Sequence, residues 1–269
     1  GDDHLSNTPK QILLYRALGA EPPAFAHLPM IVARDGRPLS KRHGDVSVGS
    51  FRARGYLPEA MVNFLALLGW SLDDSTTIID RKTLVENFSL ERVSSKPAVW
   101  DEEKLLWMNS QYIMALDDQE LADRVFPFLV KEGLVAEDDG SAREVLVKAA
   151  PLVRERIKLL ADAVHLVRFL FQEVEIEEDA RGVLEEEAAE KVLREAGKSL
   201  LELKEFQAPR IEEALRAMAD RLGLKPRQAF QPIRVAITGR KVSPPLFESM
   251  ELVGRERCLQ RIARALESL

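Results

Sequence analysis

The stretch Pro226-Arg-Gln-Ala-Phe-Gln-Pro-Ile-Arg-Val-Ala-Ile-Thr-Gly239 shows the pattern from which the fold class of this chain is predicted. Its apolar side chains recur at every third or fourth residue, which is the spacing of one face of an α-helix. Pro226 suits the first turn of a helix, and Gly239 is a residue type that commonly ends one. Because similar patterns fill the chain from residue 141 to its end, this part is predicted to be almost wholly helical.

The same reading gives the remaining elements. A helix over 117–132 is predicted to begin at the cap residue Asp117, and residues 28–33 are predicted to form a short strand. The predicted helices cover residues 8–18, 58–68, 83–87, 101–111, 117–132, 142–149, 152–171, 180–197, 208–223, 226–238, 244–253 and 254–266. The fold class is therefore mainly α.

Composition and apolar patterning narrow the class of protein. No apolar run approaches the roughly 20 residues that a membrane span needs, which predicts a protein without a membrane partner. The single cysteine, Cys258, cannot form an intramolecular disulfide and favours a cytoplasmic location. Cys258 falls in an apolar-periodic segment, which favours a place in the core. The sequence contains no cysteine cluster for zinc, and no metal site is predicted.

Charge is distributed unevenly along the chain, whose formal net charge is −6. Residues 173–190 carry nine acids and one arginine, whereas residues 209–269 carry twelve cations and seven acids. A basic face on an otherwise acidic chain is typical of a protein that binds a polyanion. The alternative is that these are ordinary solvated helix surfaces with pairs of opposite charge one turn apart.

A polar segment near the start, Asp35-Gly-Arg-Pro-Leu-Ser-Lys-Arg-His-Gly-Asp45, groups a hydroxyl with adjacent cations. Glycines on both sides allow the backbone to turn tightly and approach a ligand. Ser40, Lys41 and Arg42 could then donate charge-assisted hydrogen bonds to a phosphate group. Taken alone, the composition favours a solvated surface turn.

Several motifs in a fixed order resemble one enzyme family, the bacterial glutamyl-tRNA synthetases, which are class I aminoacyl-tRNA synthetases. They are Gly1–Gln11, Pro38–Gly44, Gly55–Ala60, Asn63–Ser71, Lys104–Asn109 and Phe230–Gly239. The family also carries a His-x-Gly-His type motif that holds ATP, and none of the four histidines here lies in such a motif. The resemblance therefore implies the C-terminal portion of a glutamate–tRNA ligase, which is expected to be inactive on its own.

The resemblance also implies a domain organisation. Residues 1–33 are expected to be a remnant of an α/β catalytic domain, and residues 34–117 to hold the signature-lysine loop and a small α/β stem-contact domain. Residues 118–165 and 166–269 are expected to form two helical subdomains of an anticodon-binding cage. The alternative from another functional class is a stand-alone helical module that binds tRNA or protein without catalysis.

In the family, the signature-lysine loop closes over ATP, and its lysine offsets the charge that builds on the triphosphate during adenylate formation. The resemblance assigns this role to Lys41, with Ser40 and Arg42 supporting the loop and Leu39 beside the ATP. This sequence has Pro38 where many relatives have lysine, which removes a cation and an amide donor. Asp3 and His4 are expected on the substrate side. ATP with Mg²⁺ is expected in the intact enzyme, and neither is expected to be bound to this chain alone.

The helical half is expected to recognise the anticodon. An arginine that hydrogen-bonds the last anticodon base, a cytosine in glutamate tRNAs, maps to Arg156, with Arg154 as the alternative. Arg154 and Arg156 are predicted to lie around a helix start. Arg234, Ser243 and Leu246 are expected to line the pocket for the other bases, although Ser243 could instead cap a helix.

The expected partners of the intact enzyme are tRNA(Glu), glutamate and ATP, and the expected assembly is a monomer. The sequence leaves open whether tRNA(Gln) is a second partner. Trp70, Trp100 and Trp107 lie in apolar surroundings, which favours core packing over stacking on bases.

Overall fold

The computed structural model describes residues 1–39 and 47–269. These residues are mainly helical, which confirms the predicted fold class. The chain divides into two compact units, Gly1–Ala115 and Leu116–Leu269. The finer division at residues 33, 117 and 165 stays a prediction.

The N-terminal unit combines short helices with a minimal sheet. Strands β1 and β2 are parallel, with Ile31 opposite Ala98 and Val32 opposite Val99. β1 is therefore shorter than the predicted strand over 28–33. The elements are α1 (Thr8–Ala17), β1 (Ile31–Val32), α2 (Val48–Arg54), α3 (Pro58–Leu67), α4 (Arg81–Asn87), β2 (Ala98–Val99) and α5 (Glu102–Ala115).

The core of this unit lies between α3 and α5. Trp100 packs against the rings of Phe51 and Phe64, whose centroids lie 5.4 and 4.9 Å from its own. Trp70 is buried in a smaller apolar cluster. Trp107, on the outer face of α5, is 46% exposed. The prediction of core packing is thus confirmed for Trp70 and Trp100 and wrong for Trp107, because adjacent helical positions face different sides.

Every regular element of the C-terminal unit is a helix. Helix α10 contacts four others and buries one complete face, on which Val192, Leu193 and Leu200 are fully inaccessible to solvent. The helices are α6 (Asp118–Lys131), α7 (Gly140–Val153), α8 (Asp162–Phe171), α9 (Glu178–Leu184), α10 (Ala189–Glu202), α11 (Ala208–Leu222), α12 (Pro226–Thr238), α13 (Leu246–Val253) and α14 (Arg255–Glu267).

Two predicted long helices are interrupted in the structure. The predicted helix over 152–171 is split, because α7 continues through Pro151 and a 3-10 turn and an irregular segment then precede α8. The predicted helix over 180–197 is split between α9 and α10. Gly197, predicted near a helix end, lies inside α10, where an added Cβ would lie 3.8 Å from Ile262 Cγ2.

Two buried polar side chains connect α14 to the rest of its unit. The Arg261 guanidinium donates to the backbone carbonyls of Ile237 and Phe169, each at 2.7 Å. Cys258 is fully inaccessible to solvent, and its Sγ lies 3.5 Å from the Met250 carbonyl oxygen. Burial raises the pKa of the Cys258 thiol to about 12. The prediction that this cysteine belongs to the core is confirmed.

Gly239 follows α12 in a left-handed conformation, with a φ of 76°. A Cβ added there would lie 2.3 Å from the Glu175 carbonyl oxygen and 2.8 Å from Val174 Cγ1. The Gly239 carbonyl also accepts a hydrogen bond from the Glu177 amide at 3.0 Å. Only glycine meets both requirements, since it alone adopts this φ at low cost and leaves room for the segment after α8.

No helix within the described ranges has the length and apolar character that crossing a membrane would require.

Candidate nucleic-acid interface

The turn after α7 positions the first pair of predicted base-contacting residues. Arg154 and Arg156 belong to the 3-10 turn Arg154–Arg156. The chain turns here because the Asp162 carboxylate accepts hydrogen bonds from the backbone amides of Lys158 and Leu159, at 3.0 and 2.9 Å. An acidic side chain thus replaces the carbonyl partners that a continuing helix would supply. The two arginines therefore follow the end of a helix, and the prediction of a helix start was wrong.

The two arginines of this turn have different surroundings. Arg154 Nη2 donates to Asp118 Oδ1 in the first turn of α6, and the Arg154 side chain is 22% exposed. Its Nε is buried and has no hydrogen-bond partner among the described residues. Arg156 is exposed, and no acidic side chain in the described ranges pairs with it. Arg156 thus has the freedom to reach a ligand that Arg154 lacks.

Helix α12 places a third arginine near Arg156. Arg234 Nη1 donates to the Ser243 hydroxyl and, at 3.0 Å, to the Pro244 carbonyl. Burial lowers the pKa of Arg234, and repulsion from the positive charge of Arg156 lowers it further. Because such repulsion requires proximity, the fold brings together two predicted site residues that are 78 positions apart in the sequence.

The turn between α12 and α13 fixes the other two predicted residues. The buried Ser243 hydroxyl accepts from Arg234 and donates to the Pro244 carbonyl at 2.9 Å. Helix α13 begins at Leu246 with Pro245 at its cap position, so the alternative that Ser243 caps a helix was wrong. Leu246 is buried, with 4% of its surface exposed. Ser243 therefore holds Arg234 in place, and both Ser243 and Leu246 present little surface of their own.

The uneven charge seen in the sequence is partly neutralised within the C-terminal unit. Glu177 pairs with Arg240 at 2.8 Å, and Glu173 pairs with Arg264. Other cations pair one helical turn away, such as Arg216 with Glu212. In contrast, neither Arg156 nor Arg234 has an acidic partner in the residues that the structure describes. The charges of Arg156 and Arg234 are thus not neutralised by an ion pair within the described residues.

The sequence did not single out Asp118. It directly follows the cap residue Asp117, whose carboxylate accepts from the Glu120 amide at 2.7 Å. Consecutive acids at a helix start are common, and Arg154, the partner of Asp118, lies 36 positions away from it. No local signal could have connected the two residues.

The predicted catalytic residues Ser40, Lys41 and Arg42, of which Lys41 is also expected to bind ATP, lie outside the described residues. The segment just before them, residues 31–39, forms a tight hairpin. In it the Ala33 amide donates to the Arg37 carbonyl at 2.8 Å, and the Leu39 amide donates to the Ile31 carbonyl at 3.3 Å. Pro38 forms an antiparallel bridge with Val32. Leu39, the other residue expected beside ATP, thus continues the strand pairing of β1.

The predicted substrate-side residues are exposed in the N-terminal unit. His4 Nε2 lies 3.7 Å from Asp3 Oδ2, and their side chains are 64% and 52% exposed. Nowhere in 1–39 or 47–269 do three His, Cys, Asp or Glu side chains gather into a possible metal site. The described residues thus offer no cage of three or more such side chains, whereas Mg²⁺ usually keeps water and phosphate oxygens among its ligands.

Two family models match the chain in succession. The model "tRNA synthetases class I (E and Q), catalytic domain" matches residues 1–107, and "Anticodon binding domain" matches residues 120–266. The second match covers more than half of the chain. It contains Arg154, Arg156 and Arg234. The chain belongs to the anticodon-binding domain family. The resemblance to glutamyl-tRNA synthetases that the sequence indicated is confirmed.

Relatives of known name agree with this assignment. The chain is 44% identical over its whole length to a glutamate–tRNA ligase of Dehalococcoides mccartyi, of which it covers 56%, and 44% identical to one of Thermodesulfovibrio yellowstonii, of which it covers 58%. A crystal structure of a glutamate tRNA ligase from Elizabethkingia meningosepticum, in complex with its amino acid, matches with a TM-score of 0.82 and 27% identity. That match covers 100% of this chain and 56% of the crystallised one. The chain therefore spans little more than half the length of these relatives.

Proposed function

We propose that this anticodon-binding family member is part of a glutamate–tRNA ligase, which attaches glutamate to tRNA(Glu) through glutamyl-adenylate with the use of ATP. The observation that carries the proposal is the Arg156–Arg234 pair, two neighbouring cations without acidic partners in the described residues. The pair lies within the match to the anticodon-binding model. The 44% identity to glutamate–tRNA ligases over the whole chain supports the substrate assignment.

Arg156 reads the last anticodon base in this proposal. A guanidinium can donate to the O2 or N3 atom of cytosine, and an unstacked base in a loop exposes this edge. Guanine has N–H donors on the corresponding edge, so the Arg156 guanidinium would be left without those acceptors at a cost in free energy. Such a difference would separate glutamate tRNAs from glutamine tRNAs.

Arg234 contributes positive charge and direction beside Arg156. Its Nη1 is engaged by Ser243 and Pro244, which leaves Nε and Nη2 for the anticodon loop. The fixed fork of a guanidinium suits recognition of a planar base edge or a phosphate. Leu246 supports this turn from the core, so its place in the pocket is that of a packing residue.

The catalytic contribution of this chain is assigned to the N-terminal unit. Lys41, supported by Ser40 and Arg42 and with Leu39 beside the nucleotide, would stabilise the charge that develops on ATP during adenylate formation. Asp3 and His4 would border the substrates. Magnesium binds mainly through phosphate oxygens and water, and we assign it no ligand in this chain. We further propose that the intact enzyme is a cytoplasmic monomer.

The test is the binding of this chain to tRNA(Glu) transcripts whose last anticodon base is cytosine or guanine. Arg156→Gln is expected to reduce the preference for cytosine by about 1–3 kcal/mol, the range found for direct base contacts. The matched control is Arg264→Gln, which removes another exposed cation, one that is already paired with Glu173.

The results of this test distinguish a base contact by Arg156 from a phosphate contact. A preference lost in Arg156→Gln and kept in Arg264→Gln would support base reading by Arg156. An equal loss of affinity for both transcripts would identify Arg156 as a phosphate contact. A wild-type chain that binds both transcripts equally would contradict the proposal that this site discriminates between them.

A further inference from the structure

The two arginines of the 3-10 turn Arg154–Arg156 differ in their contacts. Arg154 is held by Asp118, whereas Arg156 is exposed and lies near Arg234. Both arginines could in principle extend towards an anionic ligand, since they are separated by a single residue. The Asp118 carboxylate is the feature that distinguishes them.

Asp118 is well placed to hold a cation. It is the first residue of α6, where the partial positive charge of the helix end favours an ionised carboxylate. Its side chain is 47% exposed, and its partner Arg154 is 22% exposed, so the contact is partly shielded from solvent. The ion pair and the burial of the Arg154 Nε together restrict how far the Arg154 guanidinium can extend into solvent.

We propose that Asp118 is a positioning residue for anticodon discrimination. By holding Arg154 it keeps that guanidinium from facing the RNA beside Arg156 and Arg234. This inference rests on the proposed function, because it concerns how that site distinguishes one base from another. Asp118, which does not touch RNA, raises specificity in this proposal because it withdraws a competing cation, Arg154, from the RNA.

The physical reason is the different sequence dependence of two kinds of contact. A guanidinium that reads a base edge favours one base, whereas a free cation binds any nearby phosphate. Releasing Arg154 would add a phosphate contact that strengthens the binding of right and wrong tRNAs alike. Its charge would also repel Arg156 from its reading position. Affinity would therefore rise while discrimination falls.

The test uses Asp118→Asn in this chain, with the cytosine-ending and guanine-ending transcripts described above. The amide keeps the size of the side chain and removes its charge. We expect tighter binding of the guanine-ending transcript and a discrimination ratio reduced at least about threefold. The slope of log affinity against log salt should steepen by about 0.7–0.9, which corresponds to one added phosphate contact.

Three further variants separate this role from a structural one. Asp118→Glu keeps the carboxylate and should keep most of the ratio. Asp118→Asn combined with Arg154→Met, which retains the aliphatic stem, should restore the ratio because the competing charge is gone. Asp123→Asn is the matched control, since it breaks another arginine–aspartate pair of α6, with Arg143 at 3.5 Å, away from Arg156.

The proposal is overturned if Asp118→Asn lowers the affinity for both transcripts equally, or if the ratio stays at the wild-type value. Should Asp118→Asn fail to fold, as judged by circular dichroism, Asp118→Ser allows the same comparison. A wild-type chain without discrimination would refute the proposed reading of the base, and this inference with it. A discriminating wild type with an unchanged Asp118→Asn ratio would refute this inference alone.

Discussion

At the scale of single residues, the most informative side chain is the Ser243 hydroxyl. It accepts a hydrogen bond from Arg234 and donates one to the Pro244 carbonyl, so its donor and one acceptor site are occupied within the turn. A base contact by this hydroxyl would require one of these bonds to break. The geometry therefore favours a role in holding Arg234 over a role in touching RNA.

Ser243→Ala is expected to weaken tRNA binding and to destabilise the C-terminal unit by about 1–3 kcal/mol, the usual cost of losing a hydrogen bond to a charged group. The matched control is Ser249→Ala, which removes another buried hydroxyl, one that donates to the Pro245 carbonyl at 2.6 Å. Both variants should lower the melting temperature, but only Ser243→Ala should lower the affinity for tRNA(Glu). Equal affinities in the two variants would contradict the role in positioning Arg234.

At the scale of elements, the end of α12 depends on Gly239. Its φ of 76° and the 2.3 Å approach of an added Cβ to the Glu175 carbonyl oxygen act together. The adjoining segment carries Glu177, the acidic partner of Arg240. A side chain at residue 239 would thus displace the backbone at Glu175 and also disturb the ion pair between Glu177 and Arg240.

Gly239→Ala is expected to destabilise the C-terminal unit by about 2–5 kcal/mol, the sum of left-handed strain and overpacking. Gly223→Ala is the matched control, because Gly223 has a similar φ of 67° and nothing within 4 Å of its added Cβ. This control should cost only about 1–2 kcal/mol. Urea denaturation of both variants measures the difference, and equal costs would show that the close approach is relieved without penalty.

Element positions were largely predictable from the sequence. Helices α11 and α12 match their predictions closely, because apolar spacing and terminal proline and glycine indicate the same bounds. The break between α9 and α10 was missed, although Glu185, Glu186 and Glu187 follow α9, where the helix dipole disfavours acids. The break before α8 depends on which backbone amides the Asp162 side chain accepts from, and periodicity alone does not show this.

The candidate site was predictable in part. Its arginines followed from the family resemblance, and the structure brings Arg156 and Arg234 close together. The partner of Arg154 was not predictable, because long-range ion pairs leave no periodic pattern in a sequence. The burial of Leu246 was missed because an apolar residue after two prolines fits an exposed turn as well as a helix start.

At the scale of the whole molecule, exposed apolar surface is distributed unequally between the two units. Of the twenty large hydrophobic side chains that are exposed in the described residues, seventeen lie in 1–115. Helix α1 has no buried residue, and its Leu13 and Leu14 are 64% and 62% exposed. Surfaces of this kind bind other apolar groups in water.

We expect the apolar dye bis-ANS, when photocrosslinked to the native chain, to label residues 1–115 more than residues 116–269. Leu14→Gln in α1 should reduce the labelling, because it replaces exposed apolar surface with polar surface. Leu201→Gln, at a similarly exposed leucine of α10, is the matched control and should change it little. Peptide mapping by mass spectrometry locates the label, and predominant labelling of the C-terminal unit would contradict the expectation.

The burial of Cys258 makes this thiol a kinetic reporter of the C-terminal unit. A neutral thiol without solvent contact does not react with an alkylating reagent, since the thiolate is the nucleophile. Alkylation must therefore wait until α14 separates from the helices around it. Because the chain has one cysteine, each opening event that reacts adds a single mass increment. The rate of that increment, compared in the presence and absence of tRNA, reports how strongly RNA binding suppresses opening.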